Sequence, residues 1–256
     1  MLTLFPLRCA LVSAALVSSL LAKEWTKEET EQHEPVPPVV SCPEGGFPAD
    51  ALVLFDGKDP SEWVPVRPDS PPWTVIDGAL VVNPAGSHLR TRREFRDIQL
   101  HLEFRTPSPA SGSGQQRGNS GVFLMGLYEL QILDSYQNST YVNGQAGAVY
   151  KQAPPLVNAA RPPGLWQSLD ILFLAPRFAP DGKLLSPARI TVLHNGVLVQ
   201  HDFAIRGTTV NKGLPVYEPH ADRLPIVLQN HKNPVAFRRI WVREIQVPRD
   251  AFGSTP

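Results

Sequence analysis

Beyond residue 50, apolar positions come in short runs or alternate with polar ones, and Gly, Pro, Asn or Asp closes each run. A period of two sends successive side chains to opposite faces of an extended strand. Asp97 to Arg105 is the cleanest case: Ile98, Leu100, Leu102 and Phe104 face one way, and Gln99, His101, Glu103 and Arg105 the other. Such a strand has one core face and one polar face. In the stretch Gly118 to Asp134, an apolar run from Val122 to Met125 is followed by Tyr-Glu-Leu-Gln-Ile-Leu-Asp, which puts Glu129 and Gln131 on one face. Asp134 has the opposite parity and is expected to cap a turn. Residues 51–55, 73–76, 79–82, 147–150, 168–174, 188–193, 197–203, 225–229 and 239–247 read as further strands. Asp77-Gly78 and Asn195-Gly196 suit the positive φ angles of type I′ hairpin turns. No segment after residue 50 keeps a helical period, so the pattern predicts an all-β, antiparallel β-sandwich of the jelly-roll kind.

Composition places that sandwich in a chain of 256 residues, a length that suits one large domain. Residues 1–22 carry Arg8, then an apolar stretch ending at Ala22 before Lys23-Glu24, and read as a secretory signal, with an uncleaved N-terminal anchor as the competing reading. A mature chain without them has no transmembrane span and is expected outside the cytoplasm, secreted or periplasmic. Residues 23–48, acidic and proline-rich, read as a flexible leader ahead of a domain at 49–250. Removal of Cys9 leaves Cys42 alone, so no intramolecular disulfide supports the core. Charge is balanced at 24 Lys+Arg against 24 Asp+Glu, with no basic cluster of the kind that binds nucleic acid or anionic lipid. A small, neutral ligand is expected.

The polar strand faces supply the candidate chemistry. Glu129 beside Gln131 suits carbohydrate, whose hydroxyls donate and accept, and a desolvated Glu serves as general acid or base when its pKa is raised. Glu103 is the natural second carboxylate if its strand neighbours that of Glu129. Gln229 and His231 stand at a strand-to-loop edge, and Arg105 lies on the polar face of its own strand. Trp166, in a Pro-Pro-Gly-Leu-Trp loop, could stack on a sugar face. His194 and His201 flank the Asn-Gly turn and read as surface residues rather than metal ligands. No zinc spacing, P-loop or Gly-x-Ser-x-Gly elbow is present. No cofactor is called for, although a divalent ion such as Ca²⁺ at Glu129 or Asp134 is left open. Each of these faces also has a plain reading as the solvated side of a sandwich.

An ordered set of motifs resembles the 3-keto-disaccharide hydrolase domain family. It comprises Leu54-Phe-Asp-Gly-Lys-Asp59 with Trp63, Trp73-Thr-Val-Ile-Asp-Gly78, Asn119-Ser-Gly-Val122, Tyr128 to Asp134, Gly164-Leu-Trp166, His194-Asn-Gly196, and Ile226 to His231 leading to Phe237-Arg-Arg-Ile240. The resemblance covers residues 47–248. It implies a concanavalin A-like lectin/glucanase sandwich and an exported enzyme that cleaves the glycosidic bond of 3-keto sugars, by hydrolysis or by elimination and hydration. A 3-keto group acidifies the C2 proton, so one general base can promote loss of the C1 substituent. The resemblance then implies Glu129 as base, His231 or Glu103 as its partner, and Asn119, Gln131, Gln229 and Trp166 as sugar contacts. The alternative is a carbohydrate-binding sandwich without catalysis.

Overall fold

The structure, a computed structural model, describes residues 23–245. The signal expected at residues 1–22 and the end of the last predicted strand lie outside the described residues. Residues up to Val39 form a unit of their own. Within it, Lys27–Thr30 makes one helical turn, α1, closed by a capping box in which Thr26 and Glu29 exchange hydrogen bonds. From Val40 the chain forms the sandwich unit. Residues 40–48 belong to it: Ala49 N donates to the Ser41 carbonyl at 2.8 Å, and Arg239 Nη1 to the Gly45 carbonyl at 2.8 Å.

Fifteen strands follow: β1 (Leu52–Phe55), β2 (Trp63–Pro65), β3 (Thr74–Ile76), β4 (Ala79–Val81), β5 (Leu89–Thr91), β6 (Ile98–Arg105), β7 (Ser120–Leu124), β8 (Tyr128–Ile132), β9 (Gln167–Leu174), β10 (Arg177–Phe178), β11 (Leu184–Ser186), β12 (Arg189–His194), β13 (Val197–Ala204), β14 (Val227–Leu228) and β15 (Ala236–Glu244). An eight-stranded antiparallel sheet runs β13-β12-β9-β6-β15-β4-β3, with β1 also on β15. A five-stranded sheet runs β2-β5-β14-β7-β8, and β10 pairs with β11 alone. The all-β antiparallel sandwich read from the alternation is the fold.

Both predicted hairpin turns form as their residues dictate, with φ of 50° and 73° at Asp77 and Gly78, and 54° and 78° at Asn195 and Gly196. The core lies between the sheets. Leu100, Leu102 and Phe104 meet Val122, Leu124 and Tyr128 there. Burying each such side chain stabilises by about 1.5–3 kcal/mol. The polar side chains of β6 therefore point away from the second sheet. His194, expected at the surface, is instead buried, with Nε2 2.9 Å from Gln167 Oε1; burial pushes its pKa down to about 4. His201, on the outer side of β13, is exposed.

The edge strand β8 is buried on both faces. Its inner face packs in the core, and loops cover its outer face. Gln131 N donates to the Ala148 carbonyl at 2.9 Å and Tyr150 N to the Glu129 carbonyl at 3.1 Å, so residues 147–150 run along this edge without a full strand. From far along the chain, Thr209 Oγ1 accepts from Glu129 N at 2.9 Å. A cleft with walls is the result.

Candidate active site

The cleft encloses about 330 Å³ and is lined by Asn119, Phe123, Glu129, Gln131, Tyr150, Thr209, Asn211, Gln229 and His231. Five of these come from the sequence candidates: Glu129, Gln131, Asn119, Gln229 and His231. Their convergence follows from register. Gln131 pairs with Gly121 across β8 and β7, and Gln229 N, just past β14, donates to the Gly121 carbonyl at 2.9 Å. Three adjacent strands thus present their outward residues together.

Glu129 is 4% exposed, and its carboxylate lies over Gly121, whose added Cβ would stand 2.6 Å from Oε1. Among the described residues no cation stands within ion-pairing distance of it. Burial raises its pKa from 4.5 to about 8. The group is thus a proton acceptor poised near neutrality and mildly above it.

The amides around it are oriented by backbone atoms. Asn119 Nδ2 donates to the Gln115 carbonyl at 2.8 Å, and Gln115 Nε2 to the Gly144 carbonyl at 2.8 Å. The side-chain oxygens of both then face Gln131, whose Nε2 donates to Gln115 Oε1 at 3.2 Å and Asn119 Oδ1 at 3.3 Å. Because a carbonyl can only accept, this chain of bonds leaves no freedom to flip. Among the described residues Gln131 Oε1 is buried without a partner, and so are Gln229 Oε1 and His231 Nδ1. An unpaired buried polar atom costs about 1–3 kcal/mol, which a ligand with hydroxyl donors would recover at the two amide oxygens.

The His231 loop is held from below. Asn230 Nδ2 donates to the carbonyls of Asn83 at 2.7 Å and Gly86 at 3.1 Å, and Asn233 Nδ2 to that of His231 at 2.9 Å. His231 also lines a second, larger cleft of about 790 Å³, with Gln116, Arg117, Gly118, Asp134 and Asn233. There Arg117 pairs with the buried Asp134, Nη2 donating to Oδ1 at 3.0 Å while Nε lies 2.8 Å from Oδ2 without alignment. Asp134 Oδ1 accepts from Tyr136 N at 3.2 Å and so caps the turn expected of it.

Glu103, Arg105 and Trp166 are not in the cleft. β6 sits between β9 and β15 of the larger sheet, so its polar face lies on the far side of the sandwich from Glu129. Glu103 is tied there to Arg238 Nε at 2.6 Å and Arg239 Nε at 3.3 Å. A bulge at Arg239, with φ of 51°, lets both guanidinium groups reach it. Trp166 lies against the guanidinium carbons of Arg238 and Arg105, 4.0 and 4.7 Å from its ring centroid, a cation–π contact away from the cleft. His101 Nδ1, on the same face, is 2.6 Å from Asp170 Oδ1. The pairing of Glu103 with Glu129 fails because alternation gives the face of a strand but not its sheet.

Alternation does place Phe123 on the face of Gly121. Gln115, Thr209 and Asn211 arrive on loops, and no local pattern in the sequence marks them; Tyr150 ends the stretch read as a strand at 147–150, which pairs with β8 only at the Leu130–Val149 bridge. Among the described residues no three His, Cys, Asp or Glu side chains gather as a metal site, and no helix is long and apolar enough to cross a membrane.

The fold and cleft define an antiparallel β-sandwich with a buried carboxylate on one outer face. The family model of the 3-keto-alpha-glucoside-1,2-lyase-like domain matches residues 50–243, and the chain belongs to that family. A solved structure from Parabacteroides distasonis, provisionally described as a glycosyl hydrolase, is 46% identical over 86% of this chain and 97% of its own, with a TM-score of 0.81. Two further structures from that organism, given the same provisional description, share the fold. One is 18% identical over 77% of this chain and 94% of its own, with a TM-score of 0.56. The other is 21% identical over 76% of this chain and 99% of its own, with a TM-score of 0.52. No curated protein matches.

Proposed function

We propose that this chain is a carbohydrate-cleaving enzyme acting on 3-keto-glycosides, with Glu129 as general base. The observation that carries the reading is a buried carboxylate without a counter-cation, lying over Gly121 beside the unpaired oxygens of Gln131 and Gln229. Family membership supports the 3-keto substrate class, and the description of the 46% identical structure supports cleavage of a glycosidic bond. Glu129 takes the C2 proton, and the C2–H electrons pass into the ketone as an enolate. The enolate then forms the C1–C2 double bond and expels the C1 oxygen substituent. Water added at C1, with the proton returned to C2, completes a net hydrolysis. His231 would donate to the ketone oxygen, and Asn119, Gln131 and Gln229 would hold hydroxyls.

A binding-only sandwich is less well supported, because Trp166 stands on the opposite face and a buried, uncompensated carboxylate costs stability that sugar binding alone does not require. The pattern of residues 1–22 supports a secreted or periplasmic location. The test is turnover of 3-keto-trehalose or a 3-keto-glucoside by the wild type and Glu129→Gln. Release of the leaving group by the wild type, reduced ~10³-fold in the variant, is expected. Full turnover by the variant removes Glu129 as base, and no turnover by the wild type leaves the binding module.

A further inference from the structure

Tyr150 has no part in the reaction as described, yet it lines the same cleft as Glu129. The bridge between Leu130 and Val149 sets Tyr150 opposite Glu129 on the outer face, where cross-strand Cβ atoms lie about 5 Å apart. Glu129 is followed on its other side by β7 and then by the end of β14 that carries His231. The order across the cleft is therefore Tyr150, Glu129, His231. A 3-keto-glycoside has a leaving oxygen on C1, an acidic hydrogen on C2 and a carbonyl at C3, in the same order.

We propose that Tyr150 is the proton donor to the departing glycosidic oxygen and that Tyr141 resupplies its proton from solvent. This rests on the reading of the cleft given above. The Tyr150 and Tyr141 hydroxyls are 2.7 Å apart, and Tyr141 is 41% exposed. Tyr141 can therefore donate inward while the Tyr150 hydrogen points to the ligand. As Glu129 takes the C2 proton and the C1–O bond breaks, the Tyr150 O–H bond breaks and its proton goes to the leaving oxygen. Tyr141 passes a proton to Tyr150 and recovers one from water. Glu129 returns its proton to C2 during hydration, and the water that adds at C1 releases one proton to solvent, which balances the one Tyr141 takes up.

Lys151 is placed to ease the transient negative charge. Its Nζ donates to Asn211 Oδ1 at 3.0 Å and lies 5.6 and 5.8 Å from the Tyr150 and Tyr141 ring centroids. Burial, with the nearby Glu129, pushes the Tyr150 phenol above its ordinary value. It therefore keeps its proton near neutral pH until the leaving oxygen becomes basic enough to take it.

The experiment compares two 3-keto-glucosides that differ only in leaving group, nitrophenol against methanol, with wild type, Tyr150→Phe and Tyr141→Phe. A nitrophenolate departs without help, whereas methoxide needs a proton. Tyr150→Phe should lower kcat/KM ~10²-fold or more on the methyl glycoside and by less than ~5-fold on the nitrophenyl one. Tyr141→Phe should show a smaller loss confined to the methyl glycoside. Melting temperatures within a few degrees of wild type establish that both variants fold; if Tyr150→Phe unfolds, Tyr150→Leu takes its place in the same comparison, and if Tyr141→Phe unfolds, Tyr141→Leu does. An equal loss on both substrates, or none on the methyl glycoside, overturns the role of Tyr150 alone. A wild type inert on both overturns the reading of the cleft and this role with it.

Discussion

Gly121 is where a single methyl group tests the placement of the base. Its Cβ would stand 2.6 Å from Glu129 Oε1 and 3.2 Å from Cγ, while ordinary contact begins near 3.4 Å, so Gly121→Ala drives the carboxylate off its position by about 0.8 Å. The obstacle is the free end of a flexible side chain, so the backbone need not move. Gly121 does not have a positive φ, so alanine is unstrained there. Loss of glycine's freedom in the unfolded chain should stabilise by ~0.4–1 kcal/mol, and the melting temperature should hold or rise by roughly 1–3 °C. A misplacement near 1 Å costs a proton transfer on the order of 10²-fold. The expected outcome is a fully folded variant whose kcat/KM on a 3-keto-glucoside falls about that far. Turnover within ~3-fold of wild type at an unchanged melting temperature would refute the placement of Glu129 over Gly121 as the basis of activity.

Glu129 also links stability to pH. Its folded pKa of about 8 exceeds the ordinary 4.5, so its contribution is full below pH 4.5 and is lost as pH rises to about 8, by roughly 4–5 kcal/mol in all. Urea unfolding should show that slope in wild type and its loss in Glu129→Gln, while wild-type kcat/KM should rise through about pH 8 as the base ionises. Asp134→Asn strips the counter-charge from half-sheltered Arg117 and should cost about 2–3 kcal/mol in chemical denaturation; Arg117→Met together with Asp134→Leu should recover much of it. Glu103→Gln and Trp166→Ala, on the far face of the sandwich, should leave kcat/KM within ~2-fold of wild type.

Much of the fold was legible because its signals are local. Strict alternation in β6 and the positive φ of Asp77-Gly78 and Asn195-Gly196 are set by neighbours in sequence. β2, β5, β10 and β11, two or three residues each, were missed, since so short a stretch shows no period and none of them is joined to its partner by a two-residue Asp-Gly turn like that between the equally short β3 and β4; pairing defines them, β2 with β5, β5 with β14 and β10 with β11. In the site, parity joined Glu129 to Gln131, and strand-end position marked Gln229 and His231. Which sheet holds Glu103 depends on strand order, a long-range property, and so does the arrival of Tyr150 and Thr209 over β8. Gln115 is fixed to Gly144, 29 positions along the chain, and no periodicity spans that gap.

That anchor bears on how such a cleft can diversify. The polarity of Asn119, and through it of Gln131, is written by the carbonyl of Gln115, a main-chain atom common to every amino acid. Substituting residue 115 alters what its side chain offers but leaves that carbonyl facing Asn119. A lineage that adopts a sugar of different hydroxyl stereochemistry would therefore have to reroute the loop ahead of β7, by insertion, deletion or a new turn. Differences in loop length between residues 106 and 119 should track differences in ligand among relatives more closely than point substitutions in the strands do.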